Sequence, residues 1–193
     1  MAKARPPLTR SEIMARIGGR DTSPELAVRR ALHAAGFRYR LGLTVCGTRP
    51  DLVFPGRKTV VFVDGCLWHG CPEHYTAPRT NQPFWQAKLA RNVERDITQT
   101  GTLRAAGWAV LRLWEHALSP DALAETIAAL ADALNGDLAA LARFRPGPRV
   151  HQVTFLPGPD NRESWVLWDM DDDLRLVIER DRPTRRPRPG PRP

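Results

Sequence analysis

The run Thr59-Val60-Val61-Phe62-Val63 constrains this chain more than any other stretch. Consecutive β-branched and aromatic residues leave no polar side to face water, so the segment reads as a strand covered on both faces. Such strands lie at the centre of layered α/β sheets, and the surrounding sequence supplies further elements. Ser11 to Ile17 reads as a short helix. A second follows Ser23-Pro24, with Leu26, Val28, Ala31, Leu32 and Ala35 as its apolar face and Gly36 as its stop. Phe37 to Val45 alternates like a strand, and Leu52-Val53-Phe54 is another, turned by Pro55-Gly56. Pro83 to about Ala106 is helical, Trp108 to Trp114 is a second buried strand, and Ser119-Pro120 caps a helix through about Leu134. The expected fold class is therefore α/β, over residues 8–145. Residues 146–181 read as a small β-rich C-terminal extension. Residues 182–193 are almost all proline and arginine, with no apolar side chains to bury, and are expected to be disordered.

Charge narrows the class of partner. Lysine and arginine outnumber aspartate and glutamate 29 to 21, a formal net charge of +8, which favours a polyanion such as nucleic acid. No apolar run approaches the roughly 20 residues of a membrane span, and Met1 to Arg10 lacks the apolar segment of a secretory signal. A cytoplasmic protein is expected. Three cysteines, an odd number, do not make a disulfide framework.

The loop from Gly65 to Pro83 is rich in Gly, Cys, His, Pro and Trp, and its length suggests function. Asp51 and Asp64 stand at the edges of two apolar strands that a tight turn could make neighbours. Carboxylates so placed suit Mg²⁺, which takes oxygen ligands and can activate water at a phosphate. His69, just after the second strand, can move a proton near neutral pH. Glu25, in the first turn of its helix, is explained sufficiently by the helix dipole. Cys66, Cys71 and His74 resemble three zinc ligands awaiting a fourth, for which His116 is the best candidate; such Cys2His2 sites are usually structural. Leu67 and Trp68 stand between the cysteines and Phe84-Trp85 opens the long helix, so these side chains could wedge between base pairs. Trp108 and Trp114 read as core.

These residues resemble a known family. Arg20-Asp21-Thr22 with Glu25, Arg49-Pro50-Asp51, and the block from Val61 through Asp64-Gly65-Cys66-Leu67-Trp68-His69-Gly70-Cys71 are similar to successive motifs of the very short patch repair (Vsr) DNA mismatch endonucleases. Phe84-Trp85, Arg91 to Asp96, and Gly107-Trp108 through Trp114-Glu115 continue the resemblance, which covers roughly residues 8–118. It implies a restriction-endonuclease-like fold, a central mixed sheet flanked by helices, with a structural zinc site. It implies Mg²⁺-dependent nicking of double-stranded DNA 5′ of the thymine in T·G mismatches left by 5-methylcytosine deamination. Asp51 would bind Mg²⁺ with the backbone carbonyl of Val63, while Glu25 and His69 would act through water. Cys66, Cys71, His74 and His116 would hold Zn²⁺. Leu67, Trp68 and Trp85 would wedge in from the major groove, and Met14 and Ile17 from the minor groove. The chain departs from the family pattern at Asp64, where the best-known member has histidine; a carboxylate there could bind the cation directly or make a second site. Leu67 replaces a phenylalanine, and the zinc loop is shorter. A monomer is the default, with mismatch-repair proteins as candidate partners. Two alternatives are a same-fold nicking endonuclease without mismatch specificity and a non-catalytic zinc-stabilised DNA-binding module.

Overall fold

The computed structural model describes residues 21–144 and 147–150 in full, and the backbone of 151–155, 162–169 and 174–181. Met14, Ile17, the helix expected over 11–17 and the tail 182–193 lie outside the described residues. Helix α1 (Ser23–Ala34) precedes strands β1 (Leu52–Phe54) and β2 (Thr59–Asp64); helix α2 (Gln82–Ala105), strand β3 (Ala109–Trp114) and helix α3 (Leu123–Leu134) follow. The sheet order is β1-β2-β3, with β1 antiparallel and β3 parallel to β2, so the sheet is mixed and β2 is central. A parallel neighbour requires a crossover, here the loop after β2 together with α2.

Period-two alternation sorts the side chains onto the two faces. Leu52, Phe54, Val61, Leu111 and Leu113 pack with Val28 and Leu32 of α1 and with Ile127, Leu130 and Leu134 of α3. Val53, Val60, Phe62 and Val110 share the opposite cluster with Leu103 of α2. The buried stripe of α2 is Leu89, Val93, Asp96, Thr100 and Leu103, at the helical spacing of four and three. Polar residues within that stripe must meet polar partners, and they meet them where the sheet face also turns polar, at Asp64 and Arg112.

One expectation is revised. Phe37 to Val45 forms no strand; Arg40 makes a single bridge to Val53, after which Gly42 at φ +65° and the Val45–Thr48 turn divert the chain. After α3 the chain makes another short helix, α4 (Leu138–Arg143), capped by the Asp137 carboxylate, which accepts from the N–H groups of Ala139 and Ala140. The Phe144 carbonyl then accepts from Arg112 N–H at the open edge of β3. Beyond it, β4 (Arg149–Phe155), β5 (Arg162–Asp169) and β6 (Leu174–Asp181) form an antiparallel sheet. Its first strand is pinned to the loop after β2, with Val150 N–H donating to the Gly70 carbonyl at 2.8 Å. Among the described residues no helix is long and apolar enough to cross a membrane.

Gly70 makes that junction possible. Its φ is +68°, and a Cβ there would lie 2.3 Å from the Val150 carbonyl oxygen. Gly70→Ala is expected to cost about 3 kcal/mol or more by denaturant unfolding, from backbone strain plus collision with main chain. Gly36→Ala, with φ +88° but nothing within 4 Å, should cost only about 1 kcal/mol.

Candidate active site and metal centre

Asp51 extends the β1–β2 ladder by one residue. Its N–H donates to the Val61 carbonyl at 3.1 Å, and its carboxylate Oδ2 accepts from Val63 N–H at 2.8 Å. Val63 is therefore brought against Asp51 through its N–H. From α1 comes Glu25, buried, whose Oε1 accepts from the Thr22 hydroxyl and whose Oε2 accepts from Asp21 N–H and Arg29. Glu25 thus ties down the two residues that lead into its helix, and its charge also bears on Asp51. Burial raises the Asp51 carboxyl to about 6; Val63 N–H opposes, the Glu25 and Asp64 charges add to the rise, and Arg29 opposes weakly. Carboxylates accumulate here faster than cations offset them, which is the electrostatic setting of a hard divalent cation.

The neighbouring carboxylates are in the opposite condition. Asp64 is buried, and Arg112 grips it bidentately, Nε to Oδ2 and Nη2 to Oδ1, both at 2.7 Å. Arg149 adds Nη2 to Oδ2 at 2.6 Å. Arg112 Nη2 also reaches Asp96 at 3.0 Å, and Arg149 Nη1 lies 3.7 Å from Asp96. Burial would raise Asp64, but Arg112, Arg149 and His69 hold it well below the usual carboxylate range. Asp96 is likewise lowered against burial, chiefly by its hydrogen bond from His69 and by the charge of Arg112. The ligand atoms of Asp64, His69 and Asp96 lie within 4.8 Å of one another, a spacing that suits a cation. Two guanidinium groups already supply that charge, so Asp64 sits among cations of the protein's own.

His69 rides on a tight turn in which Trp68 and His69 N–H both donate to the Gly65 carbonyl at 3.0 Å. Two residues one turn apart on α2 hold this loop: Asn92 donates to the Trp68 carbonyl at 2.9 Å, and Asp96 Oδ2 lies 2.6 Å from His69 Nδ1. An ionised Asp96 can only accept, so Nδ1 carries the hydrogen and Nε2 is left to take or give a proton.

Beside this loop, Cys66, Cys71, His74 and His116 bring their ligand atoms within 4.8 Å of one another. The turn Glu115–Leu118 after β3 delivers His116, and Glu115 accepts from Cys66 N–H at 2.8 Å. Sulfur-to-nitrogen separations are 3.3 Å for Cys66–His116, 3.6 Å for Cys71–His116 and 3.8 Å for Cys71–His74. Ligands at ~2.1–2.3 Å around a tetrahedral ion are separated by roughly 3.4–3.8 Å, so these four residues fit one such ion. Of the two thiols, Cys71 is drawn down to about 5, chiefly by Cys66 beside it and by His74, while Cys66 is pushed up by Cys71 and by burial.

Trp68 and Trp85 stack at 5.7 Å between centroids, Phe84 meets Trp85 edge-on at 5.4 Å, and Lys88 Nζ lies 4.4 Å above the Trp68 ring. Phe84 is exposed; Trp68 and Trp85 are half-buried; Leu67 packs partly against Tyr75, Leu89 and Val93. Leu67, Trp68 and Trp85 therefore share one surface with the Lys88 cation among them. Trp114, expected as core, carries the Arg149 guanidinium at 4.4 Å over its ring.

The family model of the DNA mismatch endonuclease Vsr matches residues 4–74. The type II nicking enzyme V.NaeI of Lentzea aerocolonigenes is 46% identical over 119 residues, covering 59% of this chain and 69% of that protein. The DNA mismatch endonuclease Vsr of Escherichia coli strain K12 is 36% identical over 119 residues, covering 61% of this chain and 76% of that protein. The chain belongs to the Vsr endonuclease family. It is a DNA endonuclease, and DNA is its partner. Among solved structures, the catalytic domain of homing endonuclease I-Bth0305I matches at a TM-score of 0.40 and 18% identity, covering 58% of this chain and 93% of that one, a distant likeness.

Sequence reasoning did not single out Asp96, Arg112 or Arg149. The signals were an aspartate in the buried stripe of α2 and an arginine inside the apolar run Ala109 to Trp114, each of which needs an opposite charge.

The raised Asp51 pKa has a measurable consequence in metal-free protein. The folded carboxyl titrates near 6, above its unfolded value of 3.8. Stability from this group is therefore fully present below about pH 4 and is lost as pH rises through 6. Against Asp51→Asn, the wild type should lose on the order of 2 kcal/mol between pH 4 and pH 7 in chelator-containing denaturation series.

Proposed function

We propose that this Vsr-family endonuclease is Mg²⁺-dependent and nicks the thymine strand 5′ of T·G mismatches produced by 5-methylcytosine deamination, on a restriction-endonuclease-like fold. The observation that carries this reading is the juxtaposition at one end of the sheet of an under-neutralised carboxylate, Asp51, and an imidazole braced by Asp96. Its aromatic neighbours Trp68 and Trp85 complete the surface. Asp51 and the Val63 carbonyl would hold Mg²⁺, with Glu25 beside them. Bound magnesium supplies positive charge at the scissile phosphate and makes water more acidic there. His69 moves a proton at Nε2, and Asp96 keeps its tautomer and orientation. Asp64, held by Arg112 and Arg149, steadies Asp96 and His69. The four Cys and His ligands would hold Zn²⁺ as a structural clasp, fixing the loop that carries Trp68 and His69. Leu67, Trp68 and Trp85, with Met14 and Ile17, would wedge into DNA at the mismatch, Lys88 adding charge near the backbone. The setting is the cytoplasm, at the nucleoid.

A second reading has a specific support: relatives such as V.NaeI are named type II nicking enzymes. In that reading the same centre nicks DNA without mismatch preference.

Labelled duplexes with one T·G mismatch or none, incubated with Mg²⁺, separate the two. A single nick 5′ of the mismatched thymine, lost at least 100-fold in Asp51→Ala and His69→Ala, is expected; equal nicking of the matched duplex would establish the second reading instead. Trp68→Ala should lower mismatch preference about tenfold, in line with ~1–3 kcal/mol per stacked base. Metal analysis should return one zinc per chain, lost with Cys71→Ser or strong chelation, together with a fall in thermal stability; full stability without zinc would remove its structural role.

A further inference from the structure

Arg149 lies beyond residue 74, where the family match ends, and beyond residue 118, where the motif resemblance ends. It nevertheless enters the centre of the site. We propose that Arg149 is a positioning residue for DNA cleavage: from β4 it clamps Asp64, Asp96 and the main chain of His69 into one unit, so that this chain's nuclease centre is complete only with its C-terminal sheet docked. The inference rests on the reading above in which His69 moves the proton.

Three observations carry it. Arg149 is 1% exposed, so its charge is spent inside the protein and no DNA phosphate can reach it. Its contacts converge on His69 from both ends. Nη1 donates to the His69 carbonyl at 3.2 Å, while Nη2 binds Asp64 at 2.6 Å and Nη1 stands 3.7 Å from Asp96, the carboxylate that holds the imidazole. The guanidinium lies over the Trp114 ring and the next residue, Val150, is hydrogen-bonded to Gly70, so Arg149 is held in place on two sides.

The third observation is a competition. His69 Nδ1 lies 2.6 Å from Asp96 and 3.6 Å from Asp64, so two carboxylates face a single N–H. Only one can hold it in a fixed direction. Arg112 engages both oxygens of Asp64 and Arg149 adds a second bond to Oδ2, so two guanidinium charges offset Asp64 and leave the nearer carboxylate, Asp96, as the acceptor that fixes the direction of Nε2. Without Arg149 the buried cluster would hold two carboxylates against one guanidinium, and the negative charge left on Asp64 would compete with Asp96 for the imidazole.

The test compares the full chain with Arg149→Met and Arg149→Lys, using Mg²⁺ and a T·G duplex under single-turnover conditions at saturating enzyme. The hydrogen-bonded Nδ1–H proton of His69 is followed as a far-downfield NMR resonance, identified by its absence in His69→Ala. In Arg149→Met the nicking rate should fall at least tenfold and the resonance disappear, while duplex Kd stays within twofold. In Arg149→Lys, which keeps the charge but not the fork, the fall should be about threefold with a broadened resonance. A wild-type rate in Arg149→Met overturns the proposal. So does a slowed rate with the resonance unchanged, or a loss confined to Kd. If Arg149→Met does not fold, Arg149→Lys decides alone: a wild-type rate and resonance overturn the proposal, and the intermediate pair supports it. A wild-type rate in His69→Ala would remove the proton-transfer reading instead. The resonance would then judge Arg149 on its own, its loss in Arg149→Met upholding the clamp and its persistence overturning it.

Discussion

Asp64 and Arg112 form a buried ion pair on the face of the sheet that α2 covers, and the parallel register makes it. Phe62 pairs with Arg112 and Asp64 with Trp114, so the carboxylate at the end of β2 and the guanidinium inside β3 share one face, a single pleat apart. Desolvating both groups costs several kcal/mol, and bidentate geometry offsets much of it without guaranteeing a net gain. What the pair secures is position. Asp96 and Thr100 of α2 complete the hydrogen bonds of Arg112, Arg149 closes on Asp64 from β4, and His69 is tied to Asp96. Three further segments of the chain, α2, β4 and the loop that carries His69, are thereby referenced to one charge pair.

The end of the sheet consequently carries two electrostatic environments side by side. Around Asp64 and Asp96, carboxylate and guanidinium charges balance, and both carboxyls are held ionised. Around Asp51 they do not balance, and its carboxyl is raised instead. In the proposed reading, the balanced half holds an imidazole in fixed orientation and the unbalanced half attracts a cation. At the departure from the family motif, the Asp64 charge is met by Arg112 and Arg149.

Much of the layer structure was legible in the sequence because it follows from local periodicity. The β-branched run became the central strand, the long helical pattern became α2, and the Cys and His cluster became a compact four-ligand group. The failures have particular causes. Alternation over Phe37 to Val45 suggested a strand, but no second rung can form across Gly42 at positive φ. Glu25 looked like a helix-dipole residue, yet it holds the residues that lead into its helix and its charge reaches Asp51, a neighbour determined by packing of α1 beside β1.

The sequence by itself determined which residue types were available: Asp51, Glu25 and His69 near strand and helix ends, two cysteines and two histidines, and tryptophans flanking them. It also determined the faces on which the strand residues lie, because side-chain direction in a strand alternates residue by residue. Only the tertiary structure decided which charges meet. Asp96 and Arg149 lie 27 and 80 residues from the His69 they contact, and no local pattern encodes contacts of that range. The pairing arises because a buried charge has no low-energy state except beside its opposite, and the packing of α2 and β4 against the sheet selects the partner.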